Sequence, residues 1–430
     1  MGAYGRFLAS KKMVVPDDGV TATLRGSALY DFQADITEWA LRKGRAAVFA
    51  DCGLGKTPMQ LLWAREVCEH THKPVLVVAP LAVSTQTQRE GEKFDVPVHV
   101  CRDHTDMRDN GVHITNYEML QHFEPDNLGG LVLDESSILK SYSGKFRKYV
   151  TDFASKLHFR LACTATPAPN DLIEIINHAE FLGTLTAQEI LGRFFVQDCK
   201  AGGQTRLKHH GQRDFWCWMC SWAWAVRKPS DMGYDDGRFV LPDLHTYEHT
   251  VDGHLRQDYL FPVVANTMQE RLEARRESVE ERADMAAAMV NASTEPWLCW
   301  CKLNAESAAL TKAIPDAIEV KGSDTNQQKS ERMLGFADGK YRVLVTKPRI
   351  AGFGMNWQHC PNMAFVGLGD SFEEYYQATR RCWRFGQTKD VHRHLIIADT
   401  EGAVLANVQR KENEAARMMA NIIEWRRQVT

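Results

Sequence analysis

Residues 46–62 read AAVFADCGLGKTPMQLL: an apolar run, two glycines two positions apart, a Lys-Thr pair and a second apolar run. Ala46 to Ala50 has the pattern of a buried strand, and Thr57 to Cys68 places apolar residues at helical spacing, so the glycines fall in a strand-to-helix loop. A helix N-terminus attracts anions because its first N–H groups have no intrahelical partner. Backbone amides of Gly53 and Gly55 would then face a polyphosphate, Lys56 would reach its terminal groups, and Thr57 would offer its hydroxyl to a magnesium ion. Pro58 suits a first turn, where a missing donor is tolerated. The strict phosphate-loop pattern has glycine where this chain has Ala50. The strand-loop-helix placement therefore carries the reading against the alternative of an ordinary turn.

At 430 residues the chain is long for one core, and two or three domains are expected. No apolar run approaches bilayer length and the first residues lack the apolar core of a signal peptide, so a cytoplasmic, non-secreted protein with no membrane partner is expected. Eleven scattered cysteines, an odd number, suit reduced thiols better than a disulfide framework. The net charge of −3 exerts no global pull on nucleic acid. Basic clusters at 140–148, 200–213 and 380–393 read first as solvated faces.

Along the first half, PVLVVAP, GVHITNY, GLVLDE and FRLACTATP read as buried strands alternating with helical segments. Such alternation implies a parallel sheet covered by helices. Residues 180–243, rich in Trp, Cys and Gly, break the pattern, and Glu248 to Ser293 is charged and reads as helical. Strand-like runs resume at PWLCWC, AIEVKG, RVLVT, MAFVGLG and HRHLIIA, before an amphipathic helix from about residue 403 to 427. FWCWMCSWAWAV holds Cys217 and Cys220 at zinc-ligand spacing, but no second spaced pair completes a site and the aromatics point to a packed apolar helix. Trp297, Cys299, Trp300 and Cys301 read as a core strand.

Two further clusters bear chemistry. LVLDESS ends a strand with adjacent carboxylates, where open parallel sheets place ligands. Asp134 would hold magnesium, and Glu135 would orient and deprotonate the water attacking the terminal phosphate. TRRCWRFGQ carries Arg380, Arg381 and Arg384, two of them three apart and so expected on one helical face. Guanidinium groups there would stabilise charge on a phosphoryl group in transfer.

These motifs, in this order, resemble those of the ATPases of helicase superfamily two, and most closely its Swi/Snf-like branch. LYDFQADITEWAL resembles the opening glutamine segment, ADCGLGKT the first motif, and VVAPLAVSTQTQRE the next, with Thr87 where tryptophan is common. ITNYEML, LVLDESS and CTATPAPND follow in order. VKGSDTNQQKSERMLGF, IAGFGMNW and YYQATRRCWRFGQTKDV are similar to motifs of the second lobe. The resemblance implies an α/β fold of two tandem RecA-like parallel-sheet lobes with a helical insertion between them: 1–180 as the first lobe, 181–245 as a Trp/Cys-rich insertion and linker, and 246–430 as the second lobe. It implies ATP and Mg2+ as cofactors and double-stranded DNA, gripped without regard to sequence, as partner.

Carried over residue by residue, the resemblance makes Gln33 the reader of the adenine edge and Arg381 and Arg384 the arginine fingers, with Gln377 their neighbour on the same helix. Thr164, Thr166, Gly354 and Asn356 would couple the ATP site to the nucleic acid; Lys140, Lys145 and Arg147, just after the acidic box, are candidates for phosphate contacts, with plain surface charge the equal alternative. Ser136 and Ser137 follow Glu135 where the family's acidic box continues with a small residue and then His or Asp, so a side chain linking ATP to the coupling motif is missing. With no targeting module visible, a minimal motor of bacterial or phage type is expected. The leading expectation is an ATP-driven translocase on duplex DNA. Its alternatives are a strand-separating helicase and an ATP-gated clamp that recruits a partner such as a nuclease.

Overall fold

The computed structural model describes residues 14–80, 83–140, 144–198, 204–252, 275–351 and 355–429. They form two compact units, Met1–Asp236 with Glu414–Thr430, and Gly237–Asn413.

The first unit contains β1 (Arg45–Ala50), β2 (Val75–Ala79), β3 (Val98–Val100), β4 (Val112–Asn116), β5 (Gly130–Asp134), β6 (Phe159–Thr164), an antiparallel pair β7 (Phe195–Asp198) and β8 (Gln204–Leu207), and β9 (Ala223–Val226). Seven of these make one parallel sheet in the order β3-β4-β2-β5-β6-β1-β9. Its helices are α1 (Asp31–Lys43), α2 (Lys56–Thr71), α3 (Ser84–Lys93), α4 (Gly144–Ser155), α5 (Ile175–Leu182), α6 (Ala187–Phe194) and α7 (Gln212–Cys220). The central strands are buried along their whole length, which is why they read as unbroken apolar runs rather than alternating ones. Strand β6 separates β1, which leads into the phosphate loop, from β5, which ends in Asp134. That interposed strand is the RecA-like order.

The Trp/Cys-rich stretch contains helices α6 and α7, the β7–β8 pair and a strand. Phe215, Trp218 and Trp222 are buried in the core, and β9 extends the sheet with Ala47 in register with Ala223. Cys220 is buried and its thiol donates to the carbonyl of Ile422 at 3.6 Å, while Cys217 is only partly covered. A contiguous apolar face packs this helix into the core.

The second unit is a six-stranded parallel sheet of β10 (Leu244–Val251), β11 (Trp297–Cys301), β12 (Ala317–Glu319), β13 (Val343–Thr346), β14 (Asn362–Val366) and β15 (Val391–Ala398), ordered β10-β15-β14-β11-β13-β12. Its helices are α8 (Val279–Asn291), α9 (Asn304–Ala313), α10 (Asn326–Ala337), α11 (Pro348–Ala351), α12 (Phe372–Thr379) and the first part of α13 (Gly402–Val429), whose residues from Glu414 belong to the first unit. Trp297, Cys299 and Cys301 pack with Ala283, Ala286 and Val290 of α8, as a core strand should. The fully buried Arg282 is neutralised by Glu306 at 2.7 Å, the pairing a buried charge requires.

One expectation is corrected. Residues 248–251, read as the start of a charged helix, are strand: β10 pairs with β15 from Leu244↔Val391 to Val251↔Ala398. An edge strand with a wet face accepts polar residues, so composition misled there. The middle of that segment, 253–274, lies outside the described residues.

Candidate functional site

The loop between β1 and α2 is shaped by two glycines in left-handed conformation, Gly53 at φ 88° and Gly55 at φ 79°. That region strains any side chain with a Cβ. At Gly55 space is also short, because a Cβ would come within 2.3 Å of Gln33 Nε2. Gln33, almost fully buried, donates from Nε2 to the carbonyl of Leu54 at 2.8 Å, and its Oε1 accepts from the Tyr30 amide at 3.0 Å. It thus braces the phosphate loop from α1. Lys56 opens α2 and its Nζ donates back to the Ala50 carbonyl at 2.9 Å, so the ammonium lies over the loop.

Asp134 stands at the end of β5, beside Cys163 of β6, and is 8% exposed. Gln60, one helical turn after Lys56, donates to its Oδ1 at 2.7 Å. Burial raises the Asp134 pKa, while the Gln60 hydrogen bond and then the Lys56 charge oppose the rise. A buried carboxylate held from one side, with the Thr57 hydroxyl in the first turn of α2, is a hard-oxygen donor set of the kind magnesium takes alongside phosphates and water. These residues fit the ion.

Glu135 follows with φ 50°, a left-handed conformation uncommon for a residue with a side chain. Its Oε2 accepts from Thr164 Oγ1 at 3.4 Å. The same Thr164 oxygen lies 3.3 Å from Ser137 Oγ and accepts from the Thr166 amide at 3.1 Å. Ser137 therefore reaches Thr164 through its hydroxyl. Ser136 Oγ lies 2.9 Å from His178 Nε2, and the Tyr117 hydroxyl donates to the Asp134 carbonyl at 2.7 Å. Lys56, Thr57, Asp134, Glu135, Thr164 and Thr166 thus gather at the carboxyl ends of β1, β5 and β6, as parallel strands ending together require.

In the second unit, Gln377 is buried on α12 and its Oε1 accepts from Arg381 Nη2 at 3.0 Å. Arg381 also donates to the carbonyls of Gln377 at 3.1 Å and Met355 at 2.9 Å. The expected single helical face is corrected: α12 ends at Thr379, with Arg380 as its cap, and Arg381 and Arg384 sit in the turns that follow. The chain leaves the helix because the Arg381 carbonyl accepts from the Trp357 amide at 3.0 Å and the Arg380 guanidinium settles over the Trp383 ring at 4.7 Å. Asn356 is exposed, and Gly354 lies outside the described residues.

Of the phosphate-contact candidates, Lys145 is exposed, while Lys140 and Arg147 line a cavity of about 310 Å3 with Glu174, Asn177 and Glu180. Arg147 is held there by Asn177 at 3.0 Å. Asp243, His245 and Asp390 could gather a cation where β10 and β15 begin, but they form an exposed group whose His245 and Asp390 are already 3.3 Å apart as a surface pair. Sequence pattern did not single out Gln60, Tyr117 or His178. Gln60 could have been found from its four-residue spacing to Lys56 on one helix; Tyr117 and His178 carry no local signal.

Residues 50–200 match the SNF2-related domain family. That segment contains the glycine loop with Lys56 and the carboxylates Asp134 and Glu135. The Chromodomain-helicase-DNA-binding protein 3 homolog of Caenorhabditis elegans is 26% identical over 214 residues, which are 40% of this chain and 12% of the relative. The chain thus spans about an eighth of that protein's length. Among solved structures, the Sulfolobus solfataricus SWI2/SNF2 ATPase core in complex with dsDNA aligns over 96% of this chain and 99% of its own at 17% identity and a TM-score of 0.43. No helix among the described residues is long and apolar enough to cross a membrane.

Proposed function

We propose that this chain hydrolyses ATP with magnesium to drive movement along double-stranded DNA. The observation that carries the ATP half is the joint at the carboxyl ends of β1 and β5, where α2 presents Lys56 beside a phosphate loop and Gln60 to Asp134. The match of this segment to the SNF2-related domain and the name of the C. elegans relative support DNA as the track.

Glycine amides and Lys56 grip the triphosphate, and Thr57 and Asp134 hold magnesium, which when bound neutralises phosphate charge. Glu135, steadied by Thr164, orients the attacking water and takes its proton. Arg381 and Arg384 stabilise the transferring phosphoryl group. Gln33 sets the loop against α1 and is the candidate for sensing the base. Thr164 and Thr166, with Gly354 and Asn356, transmit the nucleotide state to the track. Contacts to DNA fall mainly on phosphates, so binding is insensitive to sequence and steeply weakened by salt.

The test is steady-state ATP hydrolysis without nucleic acid and with single-stranded DNA, duplex DNA or RNA, beside a strand-displacement assay. Strong stimulation by duplex without displacement is expected. Displacement would make the chain a helicase, and negligible turnover throughout would make it a nucleotide-gated clamp.

A further inference from the structure

His178 belongs to no motif used so far, yet its imidazole is 1% exposed inside the first unit, beneath the acidic box. Its Nε2 lies 2.9 Å from Ser136 Oγ, and Ser136 is fully buried. Its Nδ1 is buried without a hydrogen-bond partner among the described residues, and the ring lies edge-on to Phe49 at 5.3 Å. An apolar residue would fill this position without stranding a polar atom. The contact that explains a histidine here is therefore the one to Ser136.

The proton can be assigned. Burial first, then the Lys140 charge, pushes the imidazole down to about 3, so it is neutral and carries one N–H. Buried N–H groups without an acceptor are rarer in folded proteins than under-used acceptors. Nε2 therefore carries the hydrogen and donates to Ser136 Oγ.

Ser136 directly follows Glu135, whose φ of 50° must be imposed by its surroundings. On the preceding side the Tyr117 hydroxyl pins the Asp134 carbonyl, and on the following side His178 pins Ser136. Resting on the ATPase reading above, we propose that His178 is a positioning residue: through Ser136 it clamps the left-handed turn that aims the Glu135 carboxylate at the attacking water. A histidine on α5 thereby serves the acidic box that lacks one of its own.

The full chain with magnesium, ATP and duplex DNA tests this. Ser136→Ala removes one oxygen and leaves α5 intact; His178→Phe keeps a flat aromatic ring, somewhat larger, without the nitrogens; His178→Gln keeps an N–H near the Nε2 position. Ser136→Ala and His178→Phe are each expected to lower kcat about tenfold, with KM for ATP and affinity for a non-hydrolysable analogue within about twofold of wild type. The double variant should fall no further than either single one, and His178→Gln should retain at least about a third of kcat. Should His178→Phe fail to fold, Ser136→Ala decides by its kcat, together with the 15N shift of the His178 ring, which should change when its acceptor is removed. Wild-type kcat in Ser136→Ala, or losses that multiply in the double variant, overturns the proposal. Lys56→Ala separates the two readings: if it abolishes turnover while Ser136→Ala does not, only the clamp is wrong, whereas turnover independent of Lys56 overturns the ATPase reading and the clamp with it.

Discussion

The Lys56 ammonium donates to the Ala50 carbonyl across 2.9 Å, closing the phosphate loop on itself. A polyphosphate that enters must take over this ammonium, and the exchange trades a neutral acceptor for a doubly charged one. Lys56→Ala and Glu135→Gln should each reduce ATP turnover by about 10²-fold or more with little change in the unfolding midpoint, as measured by coupled-enzyme assay and thermal melting. Undiminished turnover in either purified variant would remove that residue from the chemistry.

Gln60 steadies the Asp134 carboxylate from α2, its side-chain amide donating at 2.7 Å. Without it the buried carboxylate rises further in pKa and loses its orientation. Gln60→Ala should therefore raise the magnesium concentration needed for half-maximal ATPase by about tenfold, with much of the rate recovered at saturating metal. A magnesium titration that overlays the wild-type curve would show Asp134 to be held by other means.

Arg381 and Arg384 should part company. Arg381 is 5% exposed and satisfies Gln377 and Met355, so Arg381→Ala strands buried acceptors and should destabilise by about 2–4 kcal/mol. Arg384 is half-buried, and Arg384→Ala should lower kcat more than ATP affinity while shifting stability by less than about 0.5 kcal/mol. Chemical denaturation beside a kcat and nucleotide-affinity comparison distinguishes the two; equal stability losses would erase the difference.

His178 also makes a pH prediction. Its folded pKa of about 3 lies below its ordinary value of 6.5, so between them the unfolded chain binds one more proton here than the folded chain. Stability therefore rises with pH through that window and is flat, for this group, above it. From about pH 7 to about pH 5 the loss assigned to His178 is about 2 kcal/mol. His394, pushed to about 4 mainly by burial, adds in the same direction within the second unit. Urea unfolding at both pH values should show wild type losing more than His178→Gln; parallel losses would contradict the shift.

For the DNA contacts, salt is the probe. Removing one phosphate contact should reduce the slope of log affinity against log salt by about one. Lys145→Ala and Arg147→Ala should each do so on duplex DNA of any sequence, by fluorescence anisotropy. An unchanged slope would return these residues to ordinary surface charge, as the Arg147–Asn177 contact already permits.

Much of this protein is legible in short windows. The phosphate loop between β1 and α2, the carboxylates ending β5 and the core strand Trp297–Cys301 all follow from runs of fewer than about twenty residues, because period and turn chemistry act between near neighbours. Where such windows misled, something distant had intervened. The helix expected through Arg384 stops at Thr379 because the Trp357 amide takes the Arg381 carbonyl, and residues 248–251 become strand because β15 offers them a ladder.

Sequence pattern, then, was enough to indicate two parallel α/β sheets, a glycine-lysine loop between strand and helix and an acidic pair at a strand end, since each is written in residues close together along the chain. Folding in three dimensions had to choose the partners: Gln60 for Asp134, 74 positions away, His178 for Ser136, 42 positions away, and Cys220 for a carbonyl 202 positions later. A buried polar group bonds to whatever packing brings within 3 Å or so, and which element arrives there depends on how all the others have already been stacked.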